Sequence, residues 1–179
     1  MIGKFLALLF ISLAAGAPAR AQIFPPPEGE ISVTYDRFTD HRKITLYDLM
    51  LDEKQTDFDY LRLYITVGVE YRSGLNPEPP RFVVVMFSAW TPFRYHFNEE
   101  STLYAIIDGK RRSYGSAGLL NRQVINGKYV SQVGGRLAYG DFQEIIKAKK
   151  VEMRIGDVEF TLTEQTHDKL QSFAGMITP

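Results

Sequence analysis

The stretch that decides the fold is Leu61–Arg72, LRLYITVGVEYR. Leu61, Leu63, Ile65, Val67, Val69 and Tyr71 alternate with Arg62, Tyr64, Thr66, Gly68, Glu70 and Arg72 without an exception. A period of two places the first set on one face and the second on the other, so the segment reads as a long strand with one buried side. Working outward, Phe82-Val83-Val84-Val85-Met86-Phe87 is continuously apolar. That pattern predicts a central strand, one with both faces covered or one running through the middle of the core. Ile31–Tyr35, Ile44–Leu51 and Leu103–Ile107 repeat the alternation over shorter spans and add three strands. Between the two strongest runs lies SGLNPEPP (73–80), whose three prolines and turn formers restrict it to a loop.

Turn chemistry connects the strands. Asp108-Gly109 and Asn126-Gly127 are pairs that tolerate positive φ at both centres of a type I′ turn, which predicts hairpins over about 102–114 and 119–134. Gly156-Asp157, between two alternating runs at 151–155 and 158–162, suits a type II′ turn and a third hairpin. Two short helices are expected near the C-terminus. Asp141 with Glu144 has the spacing of a capping box for the first, and Thr163 caps the second, whose apolar side is Leu170, Phe173, Ala174 and Ile177. Many hairpin-linked strands with late helices and no alternating βαβ pattern predict a β-rich α+β domain. Its architecture is an antiparallel β-sandwich or curved sheet with two short C-terminal helices.

Residues 1–21 are expected to lie outside that domain. Met1–Lys4 carries one positive charge, Phe5–Ala17 is a run of apolar and small residues, and Ala19-Arg20-Ala21 supplies the small residues a signal peptidase reads. Thirteen helical residues rise only about 20 Å against a hydrocarbon core of about 30 Å, so the segment reads as a cleaved export signal rather than an anchor. Residues 22–30 form a Pro-rich linker, residues 31–179 the single domain, and no membrane span remains after cleavage. Losing Lys4 and Arg20 leaves 19 basic against 21 acidic residues. This faintly acidic balance provides no broad positive field for nucleic acid. The absence of cysteine excludes disulfides, thiol nucleophiles and Cys-type metal sites. An exported cysteine-free chain fits the periplasm or a secreted state in a bacterium.

The chemistry-bearing residues are sparse. His41, His96 and His167 have no metal-clamp spacing, so no metal is expected, and nothing in the chain implies a cofactor. Tyr114-Gly115-Ser116-Ala117-Gly118 lacks the first glycine of a nucleophile elbow, and the acidic residues Asp52, Glu53, Asp57 and Asp59 lack calcium-loop spacing. The candidate binding patch is the aromatic segment after the central strand, represented by Trp90, Arg94, Tyr95 and His96 and extended by Tyr64. If extended, Arg94 and His96 share one face while Phe93, Tyr95 and Phe97 share the other. Such a surface stacks on a sugar ring or a peptide side chain. The sequence thus points to a non-catalytic envelope protein that binds a protein, peptide or glycan. The alternatives are a small secreted hydrolase using His96 with a carboxylate or serine, and a subunit of an envelope assembly.

Overall fold

The computed structural model describes residues 27–55, 60–72 and 79–177. The expected signal, the first residues of the linker and most of the 73–80 loop lie outside them. Ten strands and two short helices follow in the order β1 (Ile31–Asp36), β2 (His41–Gln55), β3 (Tyr60–Arg72), β4 (Phe82–Thr91), β5 (Thr102–Ile107), β6 (Lys110–Ser116), β7 (Gly118–Ile125), β8 (Lys128–Ala138), α1 (Tyr139–Lys147), β9 (Val151–Ile155), β10 (Val158–Thr161) and α2 (Glu164–Gly175). The strands form two antiparallel sheets, β1-β2-β3-β4-β8-β7 and β10-β9-β5-β6, and neither closes into a barrel. The β-rich α+β class read from the sequence is the observed one.

Alternation accounts for the layering. Leu61, Leu63, Ile65, Val67, Val69 and Tyr71 are all buried, as are Val83, Val85, Phe87 and Ala89 on the neighbouring β4. These inner residues meet Leu103, Ala105, Ile107, Met153, Ile155 and Phe160 of the small sheet in one core, and the Phe87 and Phe160 rings bridge the layers at 6.2 Å. The helices complete the second layer. Phe142 of α1 meets Phe173 of α2 edge-on at 5.9 Å. Two carbonyls at the end of α1 accept from α2: Ile145 O, which also takes the Ala148 N–H, from His167 Nε2 at 3.2 Å, and Ile146 O from Gln171 at 2.9 Å. His167 is therefore a structural imidazole.

All three hairpin turns have the backbone their sequences demand. Asp108 and Gly109 lie at φ 47° and 82°, Asn126 and Gly127 at 50° and 75°, and Gly156 alone is positive in its turn, at 59°. Thr163 caps α2, its hydroxyl accepting from Thr166 N at 3.2 Å. Ahead of β1, Gly29 N donates to Tyr47 O, so ordered pairing with β2 begins before Ile31.

Two local expectations are corrected. α1 begins at Tyr139 with Ala138 as an N-cap that makes no side-chain hydrogen bond. Asp141 sits instead inside the first turn, where its charge complements the helix dipole, and Glu144 turns away to Arg112. β4 is central, yet its outer face is open over its first half: Phe82 is 43% exposed and Val84 50%, whereas Ser88 further along the same face is buried.

Candidate functional site

The small sheet turns its other side to solvent, and pairing fixes what that side contains. Arg111, Ile106, Glu152 and Thr161 form one cross-strand row. Ser113, Tyr104, Arg154 and Glu159 form the next. Above these rows is a groove of about 850 Å³, closed on one flank by Asp52 and Lys54 at the end of β2. Lys54 reaches the Glu159 carbonyl and pairs with Asp52 at 3.1 Å, which ties β2 to the edge of β10.

The floor is amphipathic. The Arg154 guanidinium lies 4.8 Å over the Tyr104 ring and its Nη1 is 3.8 Å from Glu159, an orientation set by stacking and by a loose ion pair. Glu152 pairs with Lys150. Arg112 on the opposite flank is held bidentately by Glu144, and those hydrogen bonds keep the Glu144 carboxyl below its ordinary range. Of the charged side chains in these two rows, Arg111 alone has no side-chain partner among the described residues. Beneath the sheet, the Tyr114 hydroxyl is buried without a partner among the described residues, and burial, aided by Asp141 and Glu144, pushes its pKa up to about 12.

The residues singled out in the sequence fall into two groups. Trp90 pairs with Arg62 and Tyr64 with Ser88, so the two aromatics are diagonal neighbours on the outer face of the large sheet. Burial raises the Tyr64 phenol. Arg94, Tyr95 and His96 pass under the opposite face. A turn at Pro92, in which Thr91 Oγ1 donates to Arg94 O and accepts from Arg94 N, ends the strand and carries the chain below β8. There the Ser131 hydroxyl accepts from His96 N and Phe97 N, Tyr95 meets Tyr129 edge-on at 5.1 Å, and Arg122 donates to Phe97 O.

The simple alternation expected for this segment therefore does not occur. Phe93 is exposed, whereas the His96 side chain is only 5% exposed. Arg94 and His96 nonetheless converge, both on Asp157: Arg94 Nη2 lies 3.6 Å from Oδ2 and His96 Nδ1 3.3 Å from Oδ1. His96 Nε2 is buried with no partner among the described residues. The carboxylate that a His96-based hydrolase needs is present, but the imidazole lines neither groove. His41, 3.1 Å from Glu70, borders only a smaller depression of about 210 Å³.

Among the described residues no three His, Asp or Glu side chains cluster to hold a metal ion, and no helix is long and apolar enough to cross a membrane. The groove offers a ring, an aliphatic floor, cations and carboxylates, and the hydroxyls of Ser113 and Thr161. Sequence reading missed the groove because its residues come from five strands separated by as many as 109 positions. Its one local sign was that Tyr104 and Ile106 are apolar on the face opposite Leu103, Ala105 and Ile107. No protein-family model, curated protein or solved structure matches the chain.

Proposed function

We propose that this chain is an exported, non-catalytic interaction module of the cell envelope, periplasmic or secreted, that binds a protein, peptide or glycan. The observation that carries the reading is the Tyr104–Ile106 floor framed by Arg111, Arg154, Glu152 and Glu159. It is a large open groove on a rigid sheet with no histidine along it. A planar ring with charged groups on both sides suits an extended peptide or a sugar chain, whose apolar faces stack while its polar edges meet Arg and Glu.

The test is immobilised mature chain, beginning at Gln22, probed against arrays of envelope glycan fragments and of peptides. Retained ligands should be lost from the variant carrying Tyr104→Ala and Arg154→Ala and kept by Arg94→Ala. Binding that survives the first change and disappears with the second moves the site to the Trp90–His96 region. Export has its own measurement: intact mass of the product from an envelope fraction. A product starting at Gln22 supports it, and one that retains Phe5–Ala17 overturns it.

A further inference from the structure

The ion pairs along the small-sheet groove leave one charge over. Asp52 takes Lys54 at 3.1 Å, Glu152 takes Lys150 and Glu159 is met by Arg154, so every carboxylate lining the groove has a cation. Of the lining cations, Arg112 is claimed by Glu144 of α1. Arg111, exposed near the start of β6, is left without a side-chain partner among the described residues. The lining is short of one anion.

Arg154 is held by its ring more than by its acid. At 3.8 Å between exposed groups the pair with Glu159 contributes little, so a ligand carboxylate competes with it on easy terms. What fixes the guanidinium is Tyr104, over whose ring it lies at 4.8 Å. An arginine placed in this way keeps N–H groups for a carboxylate and has less side-chain freedom to lose on binding.

Strand geometry then sets the spacing of the two arginines. Arg111 belongs to the row of Ile106 and Arg154 to the row of Tyr104, two residues apart along β5, and they flank β5 from β6 and β9 respectively. Such rows are about 7 Å apart, which is also the repeat of side chains on one face of an extended peptide. Glu152, opposite Arg111 in its row, is neutralised by Lys150 and does not oppose an incoming anion.

We infer that the groove takes an extended acidic peptide segment lying along β5, with carboxylates at positions i and i+2 paired to Arg111 and Arg154 above the Tyr104–Ile106 floor. The inference rests on the groove being the binding site proposed above. The two-residue repeat is what selects a peptide over an acidic glycan, and the Ser113 and Thr161 hydroxyls at the margins suit amide groups.

The experiment is fluorescence anisotropy of labelled probes with the mature chain, at low and at high salt. One probe is an end-capped octapeptide alternating glutamate with serine, the second replaces each glutamate by glutamine, and the third is a tetramer of galacturonate. The glutamate peptide should bind at least about tenfold more tightly than the glutamine peptide, and less tightly at high salt. Arg111→Gln and Arg154→Gln should each weaken it at least about fivefold, whereas Lys169→Gln on α2, which removes the same charge elsewhere, leaves it unchanged. The glutamine peptide makes the test independent of whether a variant folds. Equal affinity for the two peptides overturns the inference, as does binding of the glutamate peptide that ignores both arginines. Capture of the galacturonate alone overturns it while keeping the groove a binding site. Binding of no probe also overturns it, and the glycan and peptide arrays then decide separately whether the chain is a binding module.

Discussion

The outer face of the six-stranded sheet places Phe82, Val84 and Met86 along its central strand, whereas that of the four-stranded sheet places Arg111, Glu152, Arg154 and Glu159 around Tyr104 and Ile106. Behind these faces the sheets are alike: both bury Leu, Val, Ile and Phe in one shared core. The inner faces are dictated by folding, because each buried apolar side chain contributes about 1.5–3 kcal/mol. The outer faces are under no such demand. An apolar line half open to water adds little to stability, and paired charges on an exposed sheet add about as little. What distinguishes the two faces is therefore their surface chemistry: a half-exposed apolar line on the large sheet, and charges around a ring on the small one.

Four measurements break or sharpen that contrast. The largest effect should come from the core both sheets share. Phe87→Ala removes the ring against Phe160 and is expected to cost about 3–5 kcal/mol in urea unfolding, with all probes moving together. If only the small-sheet signals shift, the core is not common. Next is Gly134→Val, whose side chain would meet Leu120 and the Val85 carbonyl, predicted to cost about 1–3 kcal/mol. Gly135→Ala, with no atom within 4 Å of the new Cβ, should stay within about 0.5 kcal/mol. Equal losses at the two glycines would mean that Leu120 does not lie over the sheet.

Smaller still is Tyr114→Phe. Removing a buried hydroxyl that has no partner should change neutral-pH stability by less than about 1 kcal/mol, in the stabilising direction. Its clearer signature is alkaline. The folded chain holds the phenol proton up to about 12, against 10.0 for an unperturbed tyrosine, so the folded state binds more protons between those values. Stability is fully present below pH 10.0 and is lost as pH rises through about 12, and the phenylalanine variant should lose less. Identical alkaline profiles would refute the burial. The smallest effects should be on the outer faces themselves, where Val84→Thr and Arg154→Ala are each expected within about 0.5 kcal/mol. Solubility should improve with the first and ligand capture should fall with the second. A large stability loss from either would show that its face is structural.

How far the sequence carried the fold depended on the range of the cause. The strand at 61–72 and the turns at Asn126-Gly127 and Gly156-Asp157 are written in neighbouring residues, and their conformations follow from side-chain alternation and from φ alone. The Trp90–Phe97 segment departs from its expected faces because alternation holds only while a strand is straight. Thr91 closing on Arg94 bends the chain, which buries His96 and exposes Phe93. The run at 82–87 identifies a central strand correctly, but apolar sequence on both faces says only that each suits an apolar neighbour, not that this chain supplies both. The groove was illegible for another reason: Tyr104 and Arg154 become neighbours only when β5 accepts β9, fifty residues later.

That late arrival has a consequence for how the molecule comes into being. The chain completes β4 in the large sheet, crosses to make β5 and β6, returns for β7 and β8, and crosses again for β9 and β10. The large sheet lacks its last strand until residues 128–138 are made, and the small sheet that covers it lacks an inner strand until residues 151–155 follow. Interleaving of this kind makes long-range pairing the slow event and denies the chain a folded half. A polypeptide emerging from its N-terminus stays open until β9 and β10 are out, and a cut between β8 and β9 leaves two fragments, neither of which holds a complete core.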